Sequence, residues 1–302
     1  MYDIIIIGAG PAGLAAAVYG QRADKKTLLI DEKGYGGQII NTPEVENYPA
    51  IKKISGFEFA ANLYEQASEL GAELTFEKAI GIEDRDGIKV VKTEDNTYEA
   101  KAVIVATGAK NRPIGLPREE ELTGRGVAYC ATCDGAFYRG KTVAVVGGGN
   151  TALEDTEVLS GLAEQVYLVH RRDTFRGEQT QVRRLLEKDN VDFVLDSVPV
   201  EFLGEEKVQG LKVKNVKTEE EQILPVDGVF VAIGQMPDNG AFADLIQLDD
   251  KGYVSAGEDC LTVAEGIFVA GDCRTKKVRQ LATAVSDGAV AALAAVEYIN
   301  QR

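Results

Sequence analysis

Two stretches of this chain are built to the same plan. DIIIIGAGPAGLAAAVYGQRA runs from Asp3 to Ala23, and KTVAVVGGGNTALEDTEVL runs from Lys141 to Leu159. In each, an apolar run rich in β-branched residues meets a cluster of glycines, after which small residues continue into a helix. An apolar run without polar alternation belongs to a strand buried on both faces, as in a parallel sheet covered by helices. Each stretch is followed by a second short strand, KTLLID and QVYLVHRRD. Each repeat closes on a strand that ends in glycine, KAVIVATGAKNRP and DGVFVAIGQMPDN. Between these landmarks, IKVVKTEDNTYEAKAV and VQGLKVKNVKTEEEQILPV alternate and carry turn residues, the pattern of small β-meanders. A last strand, EGIFVAGD, leads into the apolar helix LATAVSDGAVAALAAVEYI.

The glycine clusters have a chemical use. Gly8, Gly10 and Gly13, with Ala9, Pro11 and Ala12 between them, have the spacing G-x-G-x-x-G. The first glycine allows a tight turn, the second lets a pyrophosphate approach the backbone, and the third lets helix pack close on strand. The helix N-terminus then offers N–H donors to the anion. The next strand ends in Asp31 and Glu32, where ribose hydroxyls need an acceptor. The second turn, Gly147 to Ala152, reads G-x-G-x-x-A, but its following strand ends in His170, Arg171, Arg172 and Asp173, with Arg176 close behind. Arginines there suit a 2′-phosphate, so this site should prefer NADP(H) to NAD(H). Two dinucleotide sites in one chain imply one bound flavin and one exchangeable nicotinamide.

The predicted fold is therefore α/β: two Rossmann-like dinucleotide-binding domains, each three-layered, the second inserted into the first. Residues 1–113 and 243–302 make the first domain and residues 114–242 the second, with proline-bearing crossings at NRPIGLP and GQMPDNG.

Charge sharpens the arginine argument. With 48 acidic and 33 basic residues the formal net charge is −15, a field that repels nucleic acid and anionic membrane. Three arginines at one strand end stand out against that background. The N-terminal apolar run has the length of a signal peptide, but it carries Asp3 where a signal carries positive charge. No other stretch is read as reaching the ~18 apolar residues of a membrane span. The chain is read as cytoplasmic, with no membrane or nucleic-acid partner.

Cys130-Ala131-Thr132-Cys133 stands just ahead of the second glycine turn, in a chain of four cysteines. Such a pair can hold a metal, staple a loop or exchange electrons, and in a reducing cytosol a permanent staple is the least common of these. The combination CATCDGAFYRGK, VAVVGGGNTA, HRRDTFR and GIFVAGD…RQLATAVSDGAVAA, together with GGQIINTPEVENYP, closely resembles the low-molecular-weight, bacterial-type thioredoxin reductases. The likeness runs over essentially the whole chain, in order.

That resemblance implies an FAD domain from the first and last pieces, an NADPH domain from the insert, and a homodimer whose partner is thioredoxin or a thioredoxin-like disulfide protein. It assigns the FAD pyrophosphate to Gly8, Gly10 and Gly13, flavin-side contacts to Gly37, Gln38 and Asn47, and an adenine contact to Ala79. Thr107 and Gly108 match the ATG turn, Asp272 the acid of the AGD segment that meets the ribityl–phosphate chain, and Arg279, Gln280 and Leu281 the segment beside the isoalloxazine. On the NADPH side it assigns Gly149, Asn150 and Thr151 to the pyrophosphate turn. His170, Arg171, Arg172 and Arg176 match the 2′-phosphate pocket, and Ile233 and Gly234 the closing strand. Hydride passes from nicotinamide to flavin, electrons pass to the Cys130–Cys133 disulfide, and the dithiol reduces the partner. By the same resemblance Cys133 faces the flavin and Cys130 is the exchange thiol.

A leaving thiolate needs an acid. The single histidine is placed at the phosphate pocket, so the acid is read as Asp134, where the family also has one; a helix N-cap is the structural alternative for this residue. If the cysteines and the nicotinamide approach the same face of the flavin ring, they cannot occupy it together, and the two crossings become hinge candidates. Other readings remain beside this one. Four cysteines can ligate zinc, although Cys260 and Cys273 lack the usual spacing and read more simply as small buried hydrophobes. The flavoprotein component of an alkyl hydroperoxide reductase would need an extra module before Met1, and a dithiol oxidase would not need the arginines. A non-catalytic redox sensor would show no turnover with NADPH and a disulfide protein. Arg125, Phe137, Tyr138 and Arg139, near the cysteines, are candidates for the partner surface.

Overall fold

The structure, a computed structural model, describes residues 1–42 and 44–302. It divides into two compact units, Met1–Lys110 with Met236–Arg302, and Asn111–Gln235. The boundaries at 110 and 235 precede those read from the sequence, at 113 and 242. Asn239 and Phe242 explain the second difference. The Asn239 side chain accepts from Thr107 Oγ1 at 2.7 Å and donates to the carbonyls of Gly252 and Cys273, while Phe242 is buried in the first unit's core. The segment after Gln235 is thereby anchored in the first unit. The two crossing segments, Ala109–Asn111 and Gln235–Pro237, pair as a two-stranded sheet.

The first unit is built on a seven-stranded sheet. Its central strand, Tyr2–Ile7, lies parallel to Thr27–Ile30 on one side and to Thr97–Val105 on the other. Ile4, Ile5 and Ile6 are fully buried, and burying each side chain contributes about 1.5–3 kcal/mol. Successive residues face opposite cores. Ile4 and Ile6 pack with Leu14, Ala16, Ala291 and Ala295 of the helices Pro11–Arg22 and Leu281–Asn300, and Ile5 and Ile7 pack with Val103, Ile246 and Val269. The strand Thr97–Val105 is shared. Its first half pairs antiparallel with Ile88–Thr93, and its second half pairs parallel with Tyr2–Ile7 and Ile267–Val269.

Among the described residues one helix, Leu281–Asn300, is long and apolar enough to cross a membrane by length and composition, contrary to the sequence reading that no such segment exists. Here Ala284, Ala291, Ala292 and Ala295 are buried in the unit's core, and Asp287 on the same helix binds Arg274 and Lys276.

The second unit repeats the plan with a five-stranded, all-parallel sheet. Thr142–Gly147 is central, flanked by Gln165–Val169 and Gly228–Ala232. Val143 and Val145 face Leu153 and Leu159 of the helix Asn150–Ser160, while Ala144 and Val146 face Leu211 and Val213. Those last two belong to the three-stranded antiparallel meander Ser197–Leu203, Gly210–Asn215 and Glu221–Leu224.

Candidate functional site

Strand register places the glycine turns. In the first unit Ile7 pairs with Ile30, so Gly8 and Asp31 leave the sheet side by side, and Gly8 N–H donates to the Ile30 carbonyl at 2.8 Å. Gly8 has φ of 108°, and a Cβ there would sit 2.3 Å from the Ala106 carbonyl oxygen, so only glycine fits. At Gly13 a Cβ would lie 1.9 Å from the Gly8 carbonyl oxygen, which is why helix and strand approach this closely only without a side chain. Gly10 differs: its nearest neighbour on that side is the Gly37 Cα at 3.9 Å, so the protein itself leaves the space open. The helix starts at Pro11, and its first-turn N–H groups have no helix carbonyl to bond.

Other expected flavin-side residues gather here. Gly36 N–H donates to the Ala9 carbonyl at 2.7 Å, bringing the turn Gly37–Asn41 onto the glycine loop. Gln38 Nε2 donates to the Ala109 carbonyl, and Asn47 Nδ2 donates to Gln280 Oε1 at 3.3 Å. Gln280 and Thr283 form a capping box on the helix beginning at Leu281. Gly108 is open on its Cβ side, and Arg279 lies over the Tyr253 ring at 4.2 Å and donates to the Asp272 carbonyl. Asp272 Oδ1 is buried with no hydrogen-bond partner among the described residues, and burial raises its carboxyl above the usual range. A ligand hydroxyl would satisfy that acceptor. Ala79 begins the antiparallel strand Ala79–Arg85, paired with Thr93 and packed on the core side that includes Ile7 and Ile30.

The structure separates the two acids that the sequence groups together. Asp31 turns inward, its Oδ2 accepting from Ala9 N–H at 2.8 Å and its Oδ1 from Lys33 N–H at 2.9 Å, so it locks the glycine turn. Glu32 is exposed.

The second turn has the same register. Val146 pairs with Val169, so Gly147 and His170 leave the sheet together, as Gly8 and Asp31 do. His170 is 8% exposed, stacks on Phe175 and donates from Nε2 to the Thr174 carbonyl at 3.1 Å. Burial lowers its basicity, and Arg171, Arg172 and Arg176 act in the same sense. A Cβ at Gly148 would lie 2.1 Å from the imidazole, so this ring braces the turn from inside. Asn150 Oδ1 accepts from Glu178 N–H and Gly148 O from Arg176 N–H, which folds the 170–178 loop back on the turn. Arg171, Arg172 and Arg176 are exposed and, among the described residues, in no ion pair. The helix begins at Asn150, followed by Thr151, and Gly149 and Gly234 are both open on their Cβ side. Ile233 packs on the core beneath.

Cys130 and Cys133 belong to this second unit and are disulfide-bonded, with Cα atoms 5.3 Å apart. The turn Ala131–Asp134 forms because the Cys130 carbonyl accepts from Cys133 N–H and Asp134 N–H. Asp134 ends this turn and stands at the N-cap position of the following one, Gly135–Tyr138, where its side chain makes no cap hydrogen bond. Burial pushes its carboxyl up to about 6. Cys260 and Cys273 are free, buried thiols in the first unit, and burial raises Cys260 to about 12. Among the described residues no group of three or more His, Cys, Asp or Glu side chains could hold a metal ion.

Sequence reasoning missed two buried acids around the cysteines. Glu119 accepts from the N–H groups of Ile114 and Gly115 and from the Tyr129 hydroxyl, tying the segment after the first crossing to the residue before Cys130. Asp155 accepts from Ala131 N–H. Its sequence signal was an acid set among Ala152, Thr156 and Leu159 on the buried stripe of a helix.

Comparison with known proteins agrees with this geometry. The pattern of the pyridine nucleotide-disulphide oxidoreductase family matches residues 2–288. A thioredoxin reductase of Listeria monocytogenes is 43% identical over 302 residues, covering 100% of this chain and 95% of that protein. One of Treponema pallidum is 44% identical over 300 residues, covering 99% and 97%. The crystal structure of thioredoxin reductase from Streptococcus pyogenes superposes with a TM-score of 0.96 at 42% identity, covering 100% of this chain and 99% of that one.

Proposed function

The chain belongs to the pyridine nucleotide-disulphide oxidoreductase family, and on that premise we propose that it is a thioredoxin reductase that uses FAD and NADPH to reduce the disulfide of thioredoxin or a thioredoxin-like protein. The observation that carries this reading is the union, within one compact unit, of a Cys130–Cys133 disulfide, an acid with a raised pKa and a nucleotide turn whose neighbouring strand end carries arginines in no ion pair among the described residues. The family likeness adds a cytoplasmic homodimer to the proposal.

FAD would be held by the first unit. The open space at Gly10 admits a pyrophosphate, the first-turn N–H groups face it, Glu32 offers an acceptor to ribose hydroxyls, and the buried Asp272 oxygen awaits a donor. Bound flavin supplies a carrier that takes hydride from reduced nicotinamide and delivers an electron pair to a disulfide. NADPH would lie on the second turn, with Gly149, Asn150 and Thr151 at its pyrophosphate and Arg171, Arg172 and Arg176 at its 2′-phosphate. His170 supports that pocket from behind as a neutral imidazole.

The remaining chemistry belongs to the cysteines. Once the pair is reduced, the Cys130 thiolate attacks the partner's disulfide, forming one S–S bond and releasing one thiolate, which takes a proton from Asp134. Cys133 then displaces the second partner thiolate and restores the Cys130–Cys133 bond. The Cys130 sulfur already has the Thr132 hydroxyl at 3.3 Å. Exposed Arg125 and Arg139 and the half-buried Phe137 and Tyr138 would offer the partner cationic and apolar groups in a chain of net charge −15.

Mixing the flavin-loaded protein with NADPH and a panel of thioredoxin-like disulfide proteins tests the whole reading. NADPH absorbance should fall with at least one of them, and no oxidation with any would refute it. Two variants test its parts. Gly10→Ala should leave the apo chain's melting temperature nearly unchanged, since the added Cβ meets nothing closer than 3.9 Å, yet cut flavin retention at least ~10-fold by filling the pyrophosphate's approach. Asp134→Asn should slow disulfide reduction about 100-fold. The Asp134 carboxyl is protonated below about 6 and ionised above it, so the unaltered enzyme's acid-dependent step should decline as pH rises through that value. The variant should lack that limb, and an unchanged pH profile would remove Asp134 from the proton path.

A further inference from the structure

Resting on the reading of Cys130 and Cys133 as the redox pair, we propose that Asp155 is a positioning residue for that pair. It holds, through a single peptide unit, the turn on which both cysteines stand, and its charge sets their reduction potential. Asp155 lies on the helix Asn150–Ser160 and is 8% exposed. Its Oδ1 accepts from Ala131 N–H at 3.3 Å, and among the described residues its buried Oδ2 has no hydrogen-bond partner. The Ala131 N–H and the Cys130 carbonyl are the two ends of one peptide group. That carbonyl accepts from Cys133 N–H at 3.3 Å and from Asp134 N–H at 3.0 Å. A continuous relay therefore runs from the Asp155 carboxyl through the Cys130–Ala131 peptide to the backbone of the second cysteine and of the proposed acid. Each bond in such a chain polarises the next.

Among the described residues no cation pairs with Asp155. The strands Thr142–Gly147 and Gly228–Ala232, packed on its helix, bring no titratable side chain. The strand Gln165–Val169 brings Tyr167, the turn Gly135–Tyr138 brings Tyr138, and the helix Gln179–Leu186 brings Arg183 and Arg184, none of them bonded to Asp155. The turn Ala131–Asp134 brings Cys133 and Asp134, and Glu154 on Asp155's own helix adds a charge of like sign. Burial pushes the Asp155 carboxyl up to about 7, opposed by the Ala131 N–H and aided by Glu154. It is thus mostly protonated at pH 6 and mostly ionised at pH 8.

Reducing the disulfide adds two electrons and two protons, or one proton fewer where a thiolate persists. A charged Asp155 behind the turn disfavours that thiolate, so the ionised form makes the pair harder to reduce and a stronger reductant once reduced. The protonated form relaxes both effects.

The test equilibrates full-length, flavin-loaded protein with glutathione buffers, alkylates the free thiols and measures the peptide bearing Cys130 and Cys133 by mass spectrometry. Asp155→Asn keeps an oxygen acceptor for Ala131 N–H and removes the charge. At pH 8 the variant's pair should be easier to reduce by about tenfold in the equilibrium constant, equivalent to about 30 mV for this two-electron couple. At pH 6 the two proteins should agree within about twofold, equivalent to about 9 mV, under a third of that shift. No difference at pH 8, or an equal offset at both pH values, overturns the proposal. Should the variant fail to fold, reduced Asp134→Asn protein, in which the neighbouring acid no longer titrates, gives a second readout. The pH dependence of its alkylation rate should still be broader than a single-proton curve, and a single-proton curve overturns the coupling. Because glutathione is the reference couple, these results stand apart from the assay with NADPH and thioredoxin, whose failure would count against the functional reading alone.

Discussion

Replacing Cys130 or Cys133 by serine is expected to lower disulfide reduction by about a thousandfold or more while leaving reduction of bound flavin by NADPH intact. The two cysteines act as a unit, so removing either removes the electron exit, whereas both nucleotide turns are untouched. The variants should differ in one respect. Cys133→Ser keeps the proposed exchange thiol but loses the one that resolves the mixed disulfide, so a covalent adduct with the partner should accumulate on a non-reducing gel. Cys130→Ser should form little or none. Stopped-flow bleaching of the flavin, with steady-state NADPH oxidation, reads both halves of the path. Loss of flavin reduction in either variant would place the cysteines elsewhere in the electron route.

The second large effect is at the 170–176 loop. Changing Arg171, Arg172 and Arg176 together to alanine should raise KM for NADPH by about 100-fold and leave KM for NADH within about threefold. A charge-assisted hydrogen bond is worth roughly 1.5–3 kcal/mol, and exposure to solvent cuts this to near 1 kcal/mol for each arginine. Three such contacts give about 3 kcal/mol, and each 1.4 kcal/mol is tenfold. None of the three is in an ion pair among the described residues, so the melting temperature should change little. An equal loss for NADH and NADPH would mean that the loop supports the turn and does not read the 2′-phosphate.

The internal repeat, both glycine turns and the position of the dithiol were legible in the amino-acid order because each depends on local backbone chemistry. Gly13 is demanded by the Gly8 carbonyl oxygen five residues back and Gly8 by its own φ of 108°, and a C-x-x-C spacing closes on itself in one turn. An apolar strand such as Ile4–Ile7 likewise announces burial on both faces. The arginine cluster was legible too, since its contrast with a net charge of −15 needs no coordinates.

What only the tertiary structure decided concerns where side chains turn once strands are in register. Asp31 and Glu32 are neighbours of the same charge, yet the pairing of Ile7 with Ile30 turns one onto the Ala9 amide and leaves the other exposed. His170 sits at the equivalent place in the second unit, and the same register drives its ring inward against Gly148. Asn239 and Phe242 moved a domain boundary by bonding to partners far away in the chain. Asp155 became visible only when its helix packed beneath the cysteine turn. Local pattern determines which elements form and which backbone positions must be glycine. The direction of a carboxylate or an imidazole, and so its charge, is settled by groups that the sequence keeps apart and packing brings together.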